Sequence, residues 1–153
     1  MRISEILTLS RLACDVNVRS KKGVLEALAK LLTNDVANLS ADAIFDSLIA
    51  RERLGSTGLG GGIAIPHGRI SGVDRAYGAF MRTREGVAFD AIDNKPVDLF
   101  FALVVPAEST DEHLGILAQL AEMFSDGSFV TRLRASLTPH DIYRLLTTWE
   151  RRQ

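Results

Sequence analysis

The stretch Leu54-Gly55-Ser56-Thr57-Gly58-Leu59-Gly60-Gly61-Gly62-Ile63-Ala64-Ile65-Pro66-His67-Gly68-Arg69 decides how this chain is read. Five glycines in eight residues, Gly55 to Gly62, give way to a short apolar run, a proline and a histidine. Glycine serves where backbone takes positive φ or comes close to a ligand, and clustered N–H groups form an anion-binding concavity. Ser56 and Thr57 add hydroxyl donors, and the backbone at Gly61, Gly62 and Gly68 adds amides. Pro66 fixes its own φ near about −65° and pushes Ile65 toward an extended conformation. Ile63 to Ile65 therefore reads as a short strand that presents His67 at a set angle.

Two familiar pairings of glycine with phosphate fail on these residues. A Walker loop needs Gly-x-x-x-x-Gly-Lys-Ser/Thr, but Gly55 and Gly60 are followed by Gly61, with no lysine in the stretch. The dinucleotide fingerprint needs a glycine or alanine where Ile63 stands, and it follows a strand, whereas these glycines precede one. A nucleophile elbow is also absent, because Gly55-Ser56-Thr57-Gly58 is one residue short of Gly-x-Ser-x-Gly. The stretch reads instead, from its glycines, hydroxyls and presented imidazole, as a site that receives a phosphoryl group on His67.

The segment Gly62-Ile63-Ala64-Ile65-Pro66-His67-Gly68-Arg69, preceded by Arg51-Glu52-Arg53-Leu54-Gly55-Ser56-Thr57-Gly58, resembles the active-site signature of a known family. That family is the enzyme IIA components of the fructose/mannitol class of the bacterial phosphotransferase system, and the match is closest to its nitrogen-related branch. The similarity covers essentially all 153 residues. Gly61 departs from it, at a position where many relatives carry a polar or larger residue. The resemblance implies a phosphocarrier whose histidine, His67, is phosphorylated by a small HPr-like protein. It also implies two further active-site residues: Arg51, sixteen residues before His67, and His113, just before Leu114 at a helix start. The nitrogen-related branch is implied to be regulatory, its phosphorylation state controlling binding to targets such as potassium-transport and stress-signalling proteins. The alternative is a sugar-specific subunit that passes the phosphoryl group to a IIB component of a fructose/mannitol permease.

Composition limits the other possibilities. A chain of 153 residues that is 46% hydrophobic and 24% charged is ordinary for one globular domain, here taken as residues 1–153. Eighteen basic against nineteen acidic side chains leave a net charge of −1, so the electrostatic footprint of a nucleic-acid partner is missing. No apolar run approaches the roughly 20 residues of a membrane span, and the opening Met1-Arg2-Ile3-Ser4-Glu5 is not a signal peptide. The single cysteine, Cys14, reads as a small core residue. A cytoplasmic protein with protein partners is expected. A metal hydrolase built on His67, His113 and His140 matches no metal-ligand spacing, and no cofactor is called for.

Periodicity and turn chemistry predict an α/β fold: a single layered domain with a mixed parallel/antiparallel sheet flanked by helices. Ala13 to Val18 reads as an edge strand. Ser20 and Ser40 cap two helices with apolar stripes at Val24, Leu25, Leu28, Leu31 and Leu32, and at Ile44, Phe45, Leu48 and Ile49. Lys21 and Lys22 fall on the solvated side of the first. The second stops at Gly55, which suits the left-handed residue beyond a helix C-terminus. Ala76 to Thr83 reads as a strand, Glu85-Gly86 as a turn, and Val87 to Phe89 as a short return strand ahead of a turn at Asp93-Asn94. Val97 to Val105, apolar at nearly every position, is a central strand covered on both faces.

Ser109-Thr110-Asp111-Glu112 fits a capping box opening a helix with a stripe at Leu114, Leu117, Ala118, Ala121 and Phe124. His113 then sits in the first turn, where the positive end of the helix dipole keeps an imidazole neutral and able to donate one N–H to a phosphoryl oxygen. Arg51, in the last turn of the second helix, either satisfies helix carbonyls or leans over the glycine loop. Two further helices, Phe129 to Leu137 and Pro139 to Arg151, close the chain, the last capped by Thr138. Arg132, Arg134, Arg144, Arg151 and Arg152 form a solvated basic face. By analogy with the family, transfer is in line to Nε2 of His67 while a backbone carbonyl holds the other ring nitrogen.

Overall fold

The apolar run that begins at Val97 forms β6 (Val97–Pro106), and the sheet is built on it. The structure, a computed structural model, describes residues 1–109 and 111–149, apart from the side chains of Asp111, Glu112 and Leu114. The capping box at Ser109 to Glu112, the stripe position Leu114, and Arg151 and Arg152 of the basic face therefore fall outside the described residues. On one side β6 pairs antiparallel with β5 (Tyr77–Val87), with Phe101 opposite Phe80. On the other it pairs parallel with β3 (Ile63–Ala64) and then with β4 (His67–Ile70). The edge strand β1 (Leu12–Val16) lies parallel to β5, and β2 (Gly58–Gly60) lies antiparallel to β3, giving the order β1-β5-β6-β3-β2.

Because strand side chains alternate, β6 feeds two cores. Leu99, Phe101 and Leu103 meet α1 (Ile3–Ile6), α4 (Asp111–Phe124), α5 (Gly127–Ala135) and α6 (Pro139–Thr148), with Ile116, Leu120, Leu133 and Ile142 fully buried among them. Phe100, Ala102 and Val104 meet α2 (Lys21–Leu32) and α3 (Ala41–Arg53) through Leu25, Leu28, Ile44 and Leu48. The expected mixed sheet between helical layers is what the chain forms. Its caps follow the sequence: Ser20, Ser40 and Thr138 accept from the amides of Gly23, Ala43 and Asp141. Among the described residues, no helix is long and apolar enough to cross a membrane.

Several expectations are corrected. Glu85-Gly86 is not a turn: β5 runs through it, and Val87 pairs with Val97 beyond a register shift after Arg82. Gly86 allows this because Pro96 lies where a Cβ would project, 2.6 Å from it. Gly55 does take the positive φ expected just beyond the helix, +152°, after Leu54 ends α3 in a helical conformation. The second of the three helices that follow β6, α5, begins at Gly127 under a cap by Asp126, two residues before Phe129.

Three cations expected at the surface or left unremarked organise the interior instead. Arg11 is buried and donates to the carbonyls of Ile6 and Gly78 and to Asp35. Lys21 pairs with the buried carboxylate of Glu52 at 3.0 Å. Arg82, in mid-strand, donates to the carbonyls of Leu133 at 2.9 Å and Ser136 at 2.8 Å, closing the C-terminus of α5. Arg82→Met keeps the volume but leaves those helix-end carbonyls without a donor. We expect it to lower the free energy of unfolding by about 2 to 4 kcal/mol, read from the midpoint of urea denaturation.

Candidate functional site

Proline has no N–H to give a sheet ladder, and Pro66 stands between two strands that both run parallel to β6. The ladder breaks at Ile65-Pro66 and resumes with His67 opposite Leu103. His67 thus does more than leave a strand: it begins β4, on the far side of the break. At the break the Ile65 amide donates to the carbonyl of Thr57 at 3.1 Å, and the Pro66 carbonyl accepts from Leu103 at 2.9 Å. The Ile65 carbonyl is left facing the imidazole, where it accepts from Nδ1 of His67 at 2.8 Å. With the proton held on Nδ1, Nε2 keeps its lone pair.

His67 lines a cavity of about 390 Å³ between the two helical layers. Arg51 and Ser47 reach it from α3, Gly68 and Arg69 from β4, Leu103 and Val105 from β6, and His113 and Leu117 from α4. A larger cavity, about 540 Å³ between Arg2, Ser4, Gln119 and Trp149, contains none of the expected residues. Burial of the His67 ring pushes its pKa below the ordinary histidine value, and the Arg51 guanidinium adds to this. The hydrogen bond to Ile65 and the Glu52 carboxylate act the other way. The imidazole is neutral at pH 7.

Arg51 combines both of its possible roles. Its Nη1 donates to the Gly55 carbonyl at 2.8 Å, finishing the end of α3, while the side chain lines the cavity. His113 faces His67 from the first turn of α4, with a buried Nδ1 that has no hydrogen-bond partner among the described residues. Gly68 is needed for close approach: a Cβ there would stand 2.2 Å from Ser47 Oγ and 3.1 Å from the Ser47 backbone. The Ser47 hydroxyl donates to the Arg69 carbonyl at 2.7 Å and so ties α3 to β4.

The other expected donors are elsewhere or already engaged. Ser56 gives its hydroxyl proton to the Phe89 carbonyl at 2.8 Å, and Thr57 gives its own to the Glu52 carboxylate. Gly61 and Gly62 lie at the other end of the strand. Gly62 accepts from Asp98 and Leu99, four residues along β6 from the partner of His67, which is about 13 Å at about 3.3 Å per residue. Gly60, Gly61 and Gly62 all take positive φ there, and Arg134 clasps them by donating to the Gly61 carbonyl and to Asp98. Arg134 is therefore not simply part of a solvated face. His140 is exposed on α6 and does not line the cavity.

Sequence reasoning missed Ser47, Leu54 and Arg69 in the cavity wall and Glu52 behind it. Ser47 was within reach, since it stands four residues before Arg51 on the same helix face. Leu54 was legible only as the end of a helix, yet it is 85% exposed at the rim of the cavity.

A family model described as "Phosphoenolpyruvate-dependent sugar phosphotransferase system, EIIA 2" matches residues 5–149. The nitrogen regulatory protein of Pseudomonas aeruginosa is 43% identical over 146 residues, spanning 95% of either chain. Its namesake in Escherichia coli K12 is 39% identical over 151 residues, spanning 98% of this chain and 92% of that one. The crystal structure of nitrogen regulatory protein IIA-Ntr from Neisseria meningitidis superposes with a TM-score of 0.89 at 49% identity, covering 95% of this chain and 99% of that one.

Two expectations follow from the geometry. The His67 imidazole should titrate below the usual value of about 6.5, measured from its ring ¹⁵N shifts. Its folded pKa lies below the unfolded one, so its contribution to stability is complete above about pH 6.5 and is lost as pH falls through the folded value. Gly68→Ala should cost about 1 to 3 kcal/mol of stability in chemical denaturation, because the Ser47 backbone has to move.

Proposed function

Because the chain belongs to the EIIA 2 family of the phosphoenolpyruvate-dependent sugar phosphotransferase system, we propose that it is a phosphocarrier whose acceptor atom is Nε2 of His67. The observation that carries this reading is the bond from Nδ1 to the Ile65 carbonyl, which fixes the proton on one ring nitrogen and leaves the other nucleophilic. The donor is an HPr-like phosphocarrier protein bearing a phosphohistidine. Nε2 attacks phosphorus in line, the new N–P bond forms as the donor's N–P bond breaks, and the donor imidazole leaves with the electron pair. No proton has to be removed from the acceptor nitrogen, because it carries none.

The transferred group brings negative charge into a cavity walled by Arg51, Arg69 and His113. Arg51 meets it as a fixed cation. His113, in the first turn of α4, lines the cavity as a ring N–H donor to it. The site adds no metal ion to this chemistry, which is positioning plus electrostatic stabilisation. The likeness to nitrogen regulatory proteins supports a regulatory output, in which phosphorylation of His67 changes binding to target proteins in the cytoplasm such as potassium-transport or stress-signalling proteins. Addition of a dianionic group at the apolar rim formed by Leu54 and Leu117 is a change that a docked protein would sense.

The test is intact-mass analysis after incubation with enzyme I, an HPr-like carrier and phosphoenolpyruvate. The wild type should gain one acid-labile phosphoryl group and His67→Ala none, with an unchanged circular dichroism spectrum. His113→Ala and Arg51→Ala should each slow transfer by about 10²-fold without abolishing it. Unphosphorylated wild-type protein with both nitrogen-type and sugar-type carriers would overturn the carrier reading.

A further inference from the structure

Glu52 is a carboxylate in the last turn of α3 with its side chain only 2% exposed, and it makes no contact with the cavity that holds His67. A buried charge is kept only where its partners are fixed. Here both Glu52 oxygens lie 3.2 Å from the Thr57 amide, one also accepts the Thr57 hydroxyl, and the other lies 3.0 Å from Nζ of Lys21. Lys21 is itself seated over the Phe89 ring and donates to the Phe89 carbonyl, which also accepts from Ser56. The donors that surround the carboxylate are thus held from α2 and from the loop that follows α3.

The bonds continue toward the imidazole without a gap. The Thr57 carbonyl accepts from the Ile65 amide, and the Ile65 carbonyl accepts from Nδ1 of His67. Thr57 and Ile65 form the rung just beyond the Gly58–Ala64 pair of the short β2–β3 ladder, and among the described residues no strand lies outside β2 to hold that rung. Glu52 supplies the missing support. We propose that Glu52 is a positioning residue for His67, acting through Thr57 and the Ile65 peptide to hold the imidazole as its Nδ1–H tautomer. Ser56 and Thr57 then serve this framework, their hydroxyls turned toward Phe89 and Glu52.

A glutamine cannot replace the carboxylate. Thr57 N–H stands equally far from both oxygens, so an amide would set its own NH₂ against either that N–H or the Lys21 ammonium. A neutral imidazole released from the Ile65 carbonyl samples both tautomers, and the one protonated on Nε2 has no lone pair there.

The test reads the tautomer directly, by long-range ¹H–¹⁵N correlation of the imidazole rings in wild type, Glu52→Gln and Thr57→Val at pH 8. Wild-type His67 should show the Nδ1–H form in at least about tenfold excess. In Glu52→Gln the two forms should come within about threefold of each other, with Thr57→Val between them and the backbone amide spectrum otherwise preserved. An unchanged His67 tautomer in folded Glu52→Gln would overturn the proposal. Should that variant not fold, an unchanged tautomer in Thr57→Val would overturn it equally.

Transfer from the phosphorylated HPr-like carrier should slow by about threefold to tenfold in Glu52→Gln at saturating carrier, without a change in the carrier concentration giving half-maximal rate. This arm rests on the phosphocarrier reading. The ring-nitrogen measurement requires no carrier, so a failure of that reading and a failure of the Glu52 proposal are separately visible.

Discussion

A proline set between two collinear strands governs this structure. Residues 63–70 run alongside β6 as a single parallel partner, interrupted where Pro66 offers no ladder donor. Three backbone groups meet at the interruption. The Ile65 amide turns to Thr57, the Pro66 carbonyl keeps β6 through Leu103, and the Ile65 carbonyl is released to the ring of His67. The sheet on either side of the break is what makes the orientation rigid: β6 is fully buried over most of its length, so the register His67 to Leu103 cannot slip without moving both cores.

The charges are sorted by the same architecture. Cations that stabilise the fold are satisfied by helix-end and strand carbonyls or by single carboxylates, as Arg11, Lys21 and Arg82 are. The cavity around His67 has a different character: two arginines and a second histidine line it, and among the described side chains no carboxylate does. Burial, with the Arg51 guanidinium beside it, keeps the resting imidazole unprotonated, and a cation at that place is also what an incoming phosphoryl group would require. The Glu52 carboxylate lies behind the ring, close enough to oppose Arg51 but engaged by Lys21 and Thr57.

Much of this was legible in the sequence where local chemistry and long-range packing agree. The run Val97 to Val105 could only be a two-faced strand, the serine and threonine caps follow from composition alone, and Pro66-His67 marks a presented side chain. The glycine run misled, because positive φ and clustered amides describe an anion cradle and a tight structural loop equally well. Only the tertiary register shows that Gly61 and Gly62 are clasped by Arg134 and Asp98 at the far end of the strand. Glu85-Gly86 misled in the same way: glycine there admits Pro96 from the neighbouring segment, a contact that no local pattern announces. Glu52, Arg11 and Arg82 were missed because a charged residue reads as solvated until the partners that bury it are known.

With the glycine loop removed from the cavity, the groups that the proposed function assigns to a phosphoryl oxygen are side chains drawn from separate elements. Arg51 comes from α3 in one helical layer, His113 from α4 in the other, and His67 from the strand between them. A nest of consecutive backbone amides would be one rigid unit and would hold phosphate in a single deep well. Side chains on opposing layers make separate contacts, each of which can be lost alone, and Arg51 retains its bond to the Gly55 carbonyl as an alternative partner. On the proposed phosphocarrier reading, such a site would favour the phosphorylated form only moderately. A carrier works under that condition, since a group held too tightly on His67 would not be passed on.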